Sequence, residues 1–150
     1  MQSTRLIGIY TGLAIIVYLL IFYFIDHSLV VNPFVYWGTL LVAGIGMASA
    51  VKKVRSEQGE RIEKRDALKI AFLVYVIAMG FFYVFFFAML RYIDSSLVEF
   101  QKAAMEKAGQ DVSGVDFTMT LGKTVSGYII SLIGGFLVSY LMATVMKRDH

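Results

Sequence analysis

The stretch from Ile70 to Leu90 contains no charged residue, and this constrains the fold more than any other feature of the sequence. At 1.5 Å per residue, a helix of this length covers about 30 Å, the thickness of the hydrocarbon core of a bilayer. A helix in a soluble core would carry a polar stripe, and this segment has none. It therefore predicts a membrane-spanning helix, which we expect over residues 68–91.

Three further apolar stretches predict three more spans, over residues 6–25, 34–51 and 124–146. The second follows Asn32-Pro33, and asparagine is a favoured helix N-cap while proline is tolerated at the first helical position. Hydrophobic residues make up 58% of the chain and charged residues 17%, a balance that is too apolar for a soluble domain. We expect one all-α integral membrane domain of four transmembrane helices, covering residues 1–150.

Residues 94–122 form the long polar connection between the third and fourth spans. Five apolar residues recur there at helical spacing: Leu97, Phe100, Ala104, Met105 and Ala108. Ser96 and Glu99 have the spacing of a capping box, and Gly109 suits the end of a helix. We expect a short amphipathic external helix that rests on the membrane surface or across the mouth of the bundle. The alternative is a solvated loop helix without specific contacts.

Lysine and arginine residues are distributed unequally between the two ends of the four spans. The richer end carries Arg5, Lys52, Lys53, Arg55, Arg61, Lys64, Arg65, Lys69, Lys147 and Arg148. The other end carries Arg91, Lys102, Lys107 and Lys123. Because cation-rich short loops stay in the cytoplasm, we expect both termini on the cytoplasmic side. Lys52, Lys53 and Arg55 are candidate contacts for anionic lipid headgroups.

Small residues recur at every fourth position of the fourth span: Gly127, Ser131, Gly135, Ser139 and Ala143. Gly8 with Gly12 in the first span, and Gly46 with Ala50 in the second, form shorter versions. Such ridges let helices approach closely, so these residues are the candidate helix-packing interface. We expect most of them to serve the protein's own bundle and the remainder to serve a partner. The phenylalanines of the third span are the expected fillers of the grooves.

The interiors of the four spans contain no Asp, Glu, His, Lys or Arg. Catalytic and transport sites within membranes usually use such residues, so their absence argues against a proton-coupled carrier, an intramembrane protease and a metalloenzyme. The chain has no cysteine, which excludes thiolate metal sites, and His27 and His150 lie outside the apolar runs. We therefore predict no catalytic residue, no cofactor and no metal site.

Ionisable residues gather instead at the external boundary of the spans: Asp26, His27, Arg91 and Asp94. Arg91 and Asp94 are three residues apart and can pair on a helix surface. Asp26, at the end of the first span, lies at a similar depth. The cluster of Asp26, Arg91 and Asp94 either contacts a headgroup or a partner, or anchors the helices at the interface by snorkelling.

The third span, together with the segments on either side of it, carries a resemblance to a known family. A basic loop containing Gly59 leads through Asp66-Ala67-Leu68-Lys69 into this span, and Tyr92-Ile93-Asp94 follows it. In these features, and over nearly its whole length, the chain resembles the small four-span bacterial membrane proteins of domain-of-unknown-function family 4199. The resemblance implies residence in the inner membrane of a Gram-negative bacterium, with no established activity. It also implies an association with glycosyltransferases that act on polyprenyl phosphates, near which members are often encoded.

These observations favour a non-enzymatic, multi-pass protein of the inner membrane that is an accessory or scaffolding subunit of a larger complex. The alternative is a small flippase, or a helper protein for the transport of polyprenyl-linked sugar or lipid, because the basic loop faces anionic headgroups. The expected partners are membrane lipids and other membrane protein subunits or a second copy of the chain. Nucleic acid is not expected, since the cations lie beside apolar runs.

Overall fold

The structure, a computed structural model, describes residues 2–147. Five α-helices follow one another along the chain: α1 (Gln2–Ile25), α2 (Pro33–Glu57), α3 (Lys64–Ala88), α4 (Ser96–Lys107) and α5 (Leu121–Met146). A 3₁₀ helix, His27–Val31, joins α1 to α2, and a π-helical turn, Met89–Ile93, continues α3. Arg148, one of the cations of the richer end, and His150, one of the two histidines, lie outside the described residues.

Four of these helices, α1, α2, α3 and α5, are long and apolar enough to cross a membrane. The prediction of an all-α fold with four long apolar helices is therefore confirmed. The predicted spans are shorter than the helices, since α2 continues to Glu57 and α3 begins at Lys64. Hydropathy locates the bilayer-thick part of a helix, whereas the backbone hydrogen bonds continue through the polar residues beyond it.

α3 is the central helix and packs against α1, α2 and α5. Gly8 of α1 lies against Ile77, and Gly12, one turn further along, lies against Phe81, so α1 and α3 run parallel. Small residues on α3 allow the other helices to approach it closely. Its fully buried positions include Ala67, Ala71, Val74, Ala78 and Met79.

α5 runs antiparallel to α3, and its C-terminus meets the end of α2. Gly127 lies against Tyr83 and Gly135 against Tyr75, so the two helices run in opposite directions. Near the last turn of α5, Arg55 Nη1 of α2 donates to the Met146 carbonyl at 3.4 Å. The two ends of the described chain therefore lie at the same end of the bundle as the connector between α2 and α3.

Local signals place the ends of two helices. The Asn32 side chain accepts a hydrogen bond from the Phe34 N–H at 2.8 Å, with Pro33 at the first helical position, as predicted. The predicted capping box at Ser96 is wrong, because Ser96 is already inside α4. The Asp94 carboxylate accepts from the Ser96 N–H at 3.1 Å instead.

α4 lies across the end of the bundle and is not a free solvated helix. Its one fully buried residue, Leu97, packs with Val30, Met89 and Leu90 in a second, smaller hydrophobic cluster. These partners belong to the 3₁₀ helix and the π-helical turn, the two segments that α4 contacts. Of the alternatives left open by the sequence, the structure therefore shows the helix across the mouth of the bundle.

Candidate functional site

The small residues of α5 face α3 and receive its tyrosine rings. A Cβ atom added at Gly135 would lie 2.1 Å from Cε1 of Tyr75, and one at Gly127 would lie 3.2 Å from Cε1 of Tyr83. The Tyr75 hydroxyl donates to the Ser131 carbonyl at 3.0 Å. The remaining two members of the ridge, Ser139 and Ala143, are fully buried.

Tyrosine hydroxyls link neighbouring helices through backbone carbonyls. Tyr128 of α5 donates to the Val76 carbonyl of α3 at 2.7 Å. Its bond therefore runs from α5 to α3, whereas the Tyr75 bond runs from α3 to α5. Tyr18 of α1 donates to the Val35 carbonyl of α2 at 3.1 Å. A helix carbonyl has a second lone pair, so it can accept such a bond without losing its own. Phenylalanines were the expected fillers, and Phe81 does lie against Gly12, but tyrosines lie against Gly127 and Gly135.

The small residues of α1 and α2 are also used inside the chain. A Cβ at Gly12 would lie 2.6 Å from the Phe81 ring, and one at Gly8 would lie 3.0 Å from Ile77 Cβ. A Cβ at Gly46 would lie 2.1 Å from the Thr11 hydroxyl, and Ala50, one turn further along α2, is fully buried. These contacts leave no predicted packing glycine free to receive a partner helix.

At the end of the bundle that carries α4, Asp94 holds the start of α4 to the end of α1. The Tyr23 hydroxyl donates to Asp94 Oδ2 at 2.9 Å, and His27 Nδ1 lies 3.5 Å from the same oxygen. The His27 ring stacks on the Tyr23 ring with centroids 4.2 Å apart. The Asp94 side chain is only 15% exposed. The Ser96 hydroxyl, with smaller contributions from Tyr23 and His27, lowers the pKa of the Asp94 carboxyl below its usual value.

The Arg91–Asp94 pair that the sequence permitted is not formed. Asp94 has left the helix, with φ −144° and ψ 89°, so the neighbour relation of residues three apart on a helix does not hold. Arg91 is exposed, and it forms no ion pair among residues 2–147. Asp26 instead accepts from the N–H of Ser28 at 3.0 Å and caps the 3₁₀ helix.

Asp94→Ala is expected to lower the free energy of unfolding by about 1–3 kcal/mol, because the Tyr23 hydroxyl and the Ser96 N–H lose their acceptor. Since the pKa of Asp94 is lowered in the folded state, its contribution is present above about pH 4 and is lost as the pH falls through the lowered value. Thermal unfolding in detergent at about pH 7 and about pH 3 checks both statements. Asp111→Ala is the control, because Asp111 bonds only to nearby Ser113.

The three residues predicted to contact anionic lipid, at the cation-rich end of the bundle, differ in their exposure. Lys52 and Lys53 are exposed near the end of α2. The Arg55 side chain is only 15% exposed, and its Nε lies 3.7 Å from Glu60 Oε2. Together with its bond to the Met146 carbonyl, this joins α2 to the following connector and to the negative end of the α5 dipole. Lys52 and Lys53 are therefore the cations of this set that lie on the surface.

A cavity of about 230 Å³ lies at the end of the bundle that carries α4, between α3, α4 and α5. Tyr83 and Phe86 line it on the bundle side, and Gln101 of α4 lines it as well. Lys123, also in the wall, donates to the carbonyls of Asp116 and Thr118, so its charge is already bound by the protein. Residues 2–147 contain no group of three or more histidine or carboxylate side chains that could hold a metal ion.

Comparison of the chain with known protein families gives one family that matches nearly its whole length. The sequence profile of the family described as protein of unknown function (DUF4199) matches residues 6–148. The chain belongs to this family. The resemblance noted in the sequence is thereby confirmed, and it covers all four long helices of the DUF4199 chain. No curated protein and no solved structure matches it.

The DUF4199 chain also has an open apolar groove on the outer side of α3, between α1 and α5. Gly80, Val84 and Ala88 of α3 contribute to its floor, Ile16 lies on the α1 side and Tyr128 on the α5 side. Its volume is about 630 Å³. The Tyr128 hydroxyl is bonded to the Val76 carbonyl, so this wall presents its ring rather than a free polar group.

Proposed function

We propose that this protein crosses the bacterial inner membrane four times with both termini in the cytoplasm. The four long apolar helices and the common location of the two described chain ends support this topology. The end that carries the connector of residues 58–63 is also rich in lysine and arginine, the residues that set orientation.

Reporter fusions test this topology directly. Fusions at Gln58 and at His150 are expected to report the cytoplasm, whereas a fusion at Gly109 is expected to report the periplasm. Gly109 follows the end of α4 with φ +83° in an exposed segment, where an inserted reporter disturbs little packing. A periplasmic signal at Gln58 would contradict the proposed orientation, and opposite signals at Gln58 and His150 would contradict an even number of spans.

We propose further that the protein is a non-enzymatic accessory or scaffolding subunit of a larger complex. The hydrogen bonds made by five hydroxyl groups within the long helices support this role. Thr11, Tyr18, Tyr75, Tyr128 and Ser139 each donate a hydroxyl hydrogen to a backbone carbonyl. The three tyrosines bond to a neighbouring helix and so hold helices together, whereas Thr11 and Ser139 bond within their own helix. Hydroxyls committed to carbonyls in this way are not poised for proton transfer or nucleophilic attack.

The outer face of α5 is the surface that we propose for the partner subunit. α5 packs along one side on α3, and its other side exposes large apolar residues: Ile129, Ile130, Ile133, Leu137, Leu141 and Val145. Because the small-residue ridge is occupied by α3, a partner that packs on α5 would contact this outer face.

Purification in mild detergent followed by native mass spectrometry tests the accessory role. We expect a second membrane polypeptide or a further copy of the chain to remain bound. The double variant Leu137→Ala and Leu141→Ala should lose it, whereas Leu41→Ala, on the exposed face of α2, should retain it. A monodisperse monomer without any bound polypeptide would count against this function.

A small flippase, or a helper protein for polyprenyl-linked sugar or lipid transport, is the second candidate. The apolar groove between α1 and α5 supports it, because a lipid chain at this depth would meet only apolar side chains and a satisfied hydroxyl. Translocation of a labelled lipid should slow in a deletion strain. Unchanged translocation would dispose of this candidate.

A further inference from the structure

The groove on α3 covers one half of the membrane thickness. Its lining on α3 begins at Val76 and Ile77 and ends at Ala88. At 1.5 Å per residue, the distance from Ile77 to Ala88 is roughly 16 Å, which is about half of the 30 Å hydrocarbon core. This length matches one lipid chain within its own leaflet, whereas a partner's transmembrane helix would continue beyond the groove into the other half of the core.

The floor of the groove is open because Gly80 lacks a side chain. A Cβ atom at Gly80 would have the Tyr128 hydroxyl, 3.7 Å away, as its nearest neighbour, which is an ordinary contact. Val84, one turn above Gly80, is 70% exposed. The groove therefore has room for an apolar chain, and nothing in residues 2–147 fills it.

A cation, Arg91, lies about one helical turn beyond Ala88, the last residue of α3 that lines this groove. Arg91 follows Ala88 by three residues in the turn that continues α3. It lines a separate surface depression with Thr118 and Met119, which come shortly before the start of α5. Glu99 lines the same depression, yet no ion pair joins it to Arg91 among residues 2–147. The planar guanidinium is suited to bidentate binding of a phosphate group.

We propose that this groove binds one anionic phospholipid of the external leaflet, with an acyl chain along Gly80, Val84 and Ala88 and its phosphate at Arg91. Burial of the chain in the groove replaces contacts with bulk lipid, so the apolar part adds shape selection rather than hydrophobic driving force. The charge–charge contact at headgroup depth adds the preference for an anionic lipid. The inference rests on the proposed membrane insertion but not on the accessory role.

Lipid retention by the purified full-length chain tests the site. The delipidated protein is incubated with phosphatidylglycerol or with phosphatidylcholine, and the bound lipid is counted by native mass spectrometry. We expect one tightly held phosphatidylglycerol and weaker retention of phosphatidylcholine. Arg91→Gln should weaken phosphatidylglycerol binding about tenfold or more and abolish the preference, since a hydrogen bond to a charged group is lost.

Gly80→Leu should fill the floor of the groove and reduce the retention of both lipids. Two controls leave the site intact: Gly44→Leu, at a position of α2 where a Cβ meets nothing within 4 Å, and Lys107→Gln, at an exposed external cation of α4. Both controls should bind phosphatidylglycerol like the wild type.

Several results would overturn the proposal. Equal retention of the two lipids by the wild type would contradict the preference for an anionic headgroup. Undiminished retention by Gly80→Leu would contradict the placement of an acyl chain in the groove. Displacement of the lipid by a second polypeptide would assign the groove to a partner helix. The reporter fusions at Gln58 and Gly109 read membrane insertion separately, so a failure there is distinguishable from a failure of lipid binding.

Discussion

Gly135→Leu is expected to lower the free energy of unfolding by about 3 kcal/mol or more, because it forces α5 away from α3. A Cβ at this position would lie within 2.6 Å of three atoms of the Tyr75 ring. The ring has little freedom to move aside, since Tyr75 is 5% exposed and its hydroxyl is bonded to the Ser131 carbonyl. Thermal unfolding of the purified protein in detergent measures the effect.

The adjacent glycine provides a matched control on the same helix. Gly134→Leu adds the same side chain, but a Cβ there meets nothing within 4 Å. We expect this variant to stay within about 0.5 kcal/mol of the wild type. Adding Tyr75→Ala to Gly135→Leu should recover part of the lost stability, because it removes the clashing ring. Wild-type stability of Gly135→Leu would show that the ridge of α5 does not face α3.

The helix-packing surfaces could be located from the sequence to a large extent, and their partners could not. A spacing of four residues from Gly127 to Ala143 puts all five small residues on one face, whatever that face contacts. Which ring enters each notch depends on the rotation of α3 about its own axis, and an α3 apolar on all sides carries no pattern that sets this rotation. The prediction that phenylalanines fill the notches therefore holds for Phe81 at Gly12, whereas Tyr75 and Tyr83 lie in the notches of α5.

The contacts of Asp94 could not be predicted from the sequence for a different reason. Asp94 and His27 were both assigned to the same depth, but they are distant in sequence, and their contact depends on where the chain leaves α3. Residues three apart are neighbours on the surface of a regular helix, and this spacing favoured Arg91 as the partner of Asp94. The π-helical turn and the extended backbone at Asp94 end that regularity, so the carboxylate bonds to Tyr23 and pairs with His27 instead.

Gly46→Leu is expected to separate α1 from α2 and to lower the free energy of unfolding by about 2–3 kcal/mol. A Cβ at Gly46 would lie 2.1 Å from Oγ1, 2.6 Å from Cγ2 and 2.9 Å from Cβ of Thr11. Thr11 cannot turn away easily, because its side chain is branched at Cβ and its hydroxyl donates to the Ile7 carbonyl at 2.6 Å. The clash therefore has to be relieved by movement of a helix backbone.

Gly44→Leu, two residues away on α2, is the control for this prediction. A Cβ at Gly44 meets nothing within 4 Å, so the added side chain should extend away from the bundle and leave the stability within about 0.5 kcal/mol of the wild type. Thr11→Gly combined with Gly46→Leu should restore part of the stability, since it exchanges the small residue between the two helices. If Gly44→Leu and Gly46→Leu unfold at the same temperature, α1 and α2 are not in contact at Thr11. The direction of α2 relative to α1 would then have to be reconsidered.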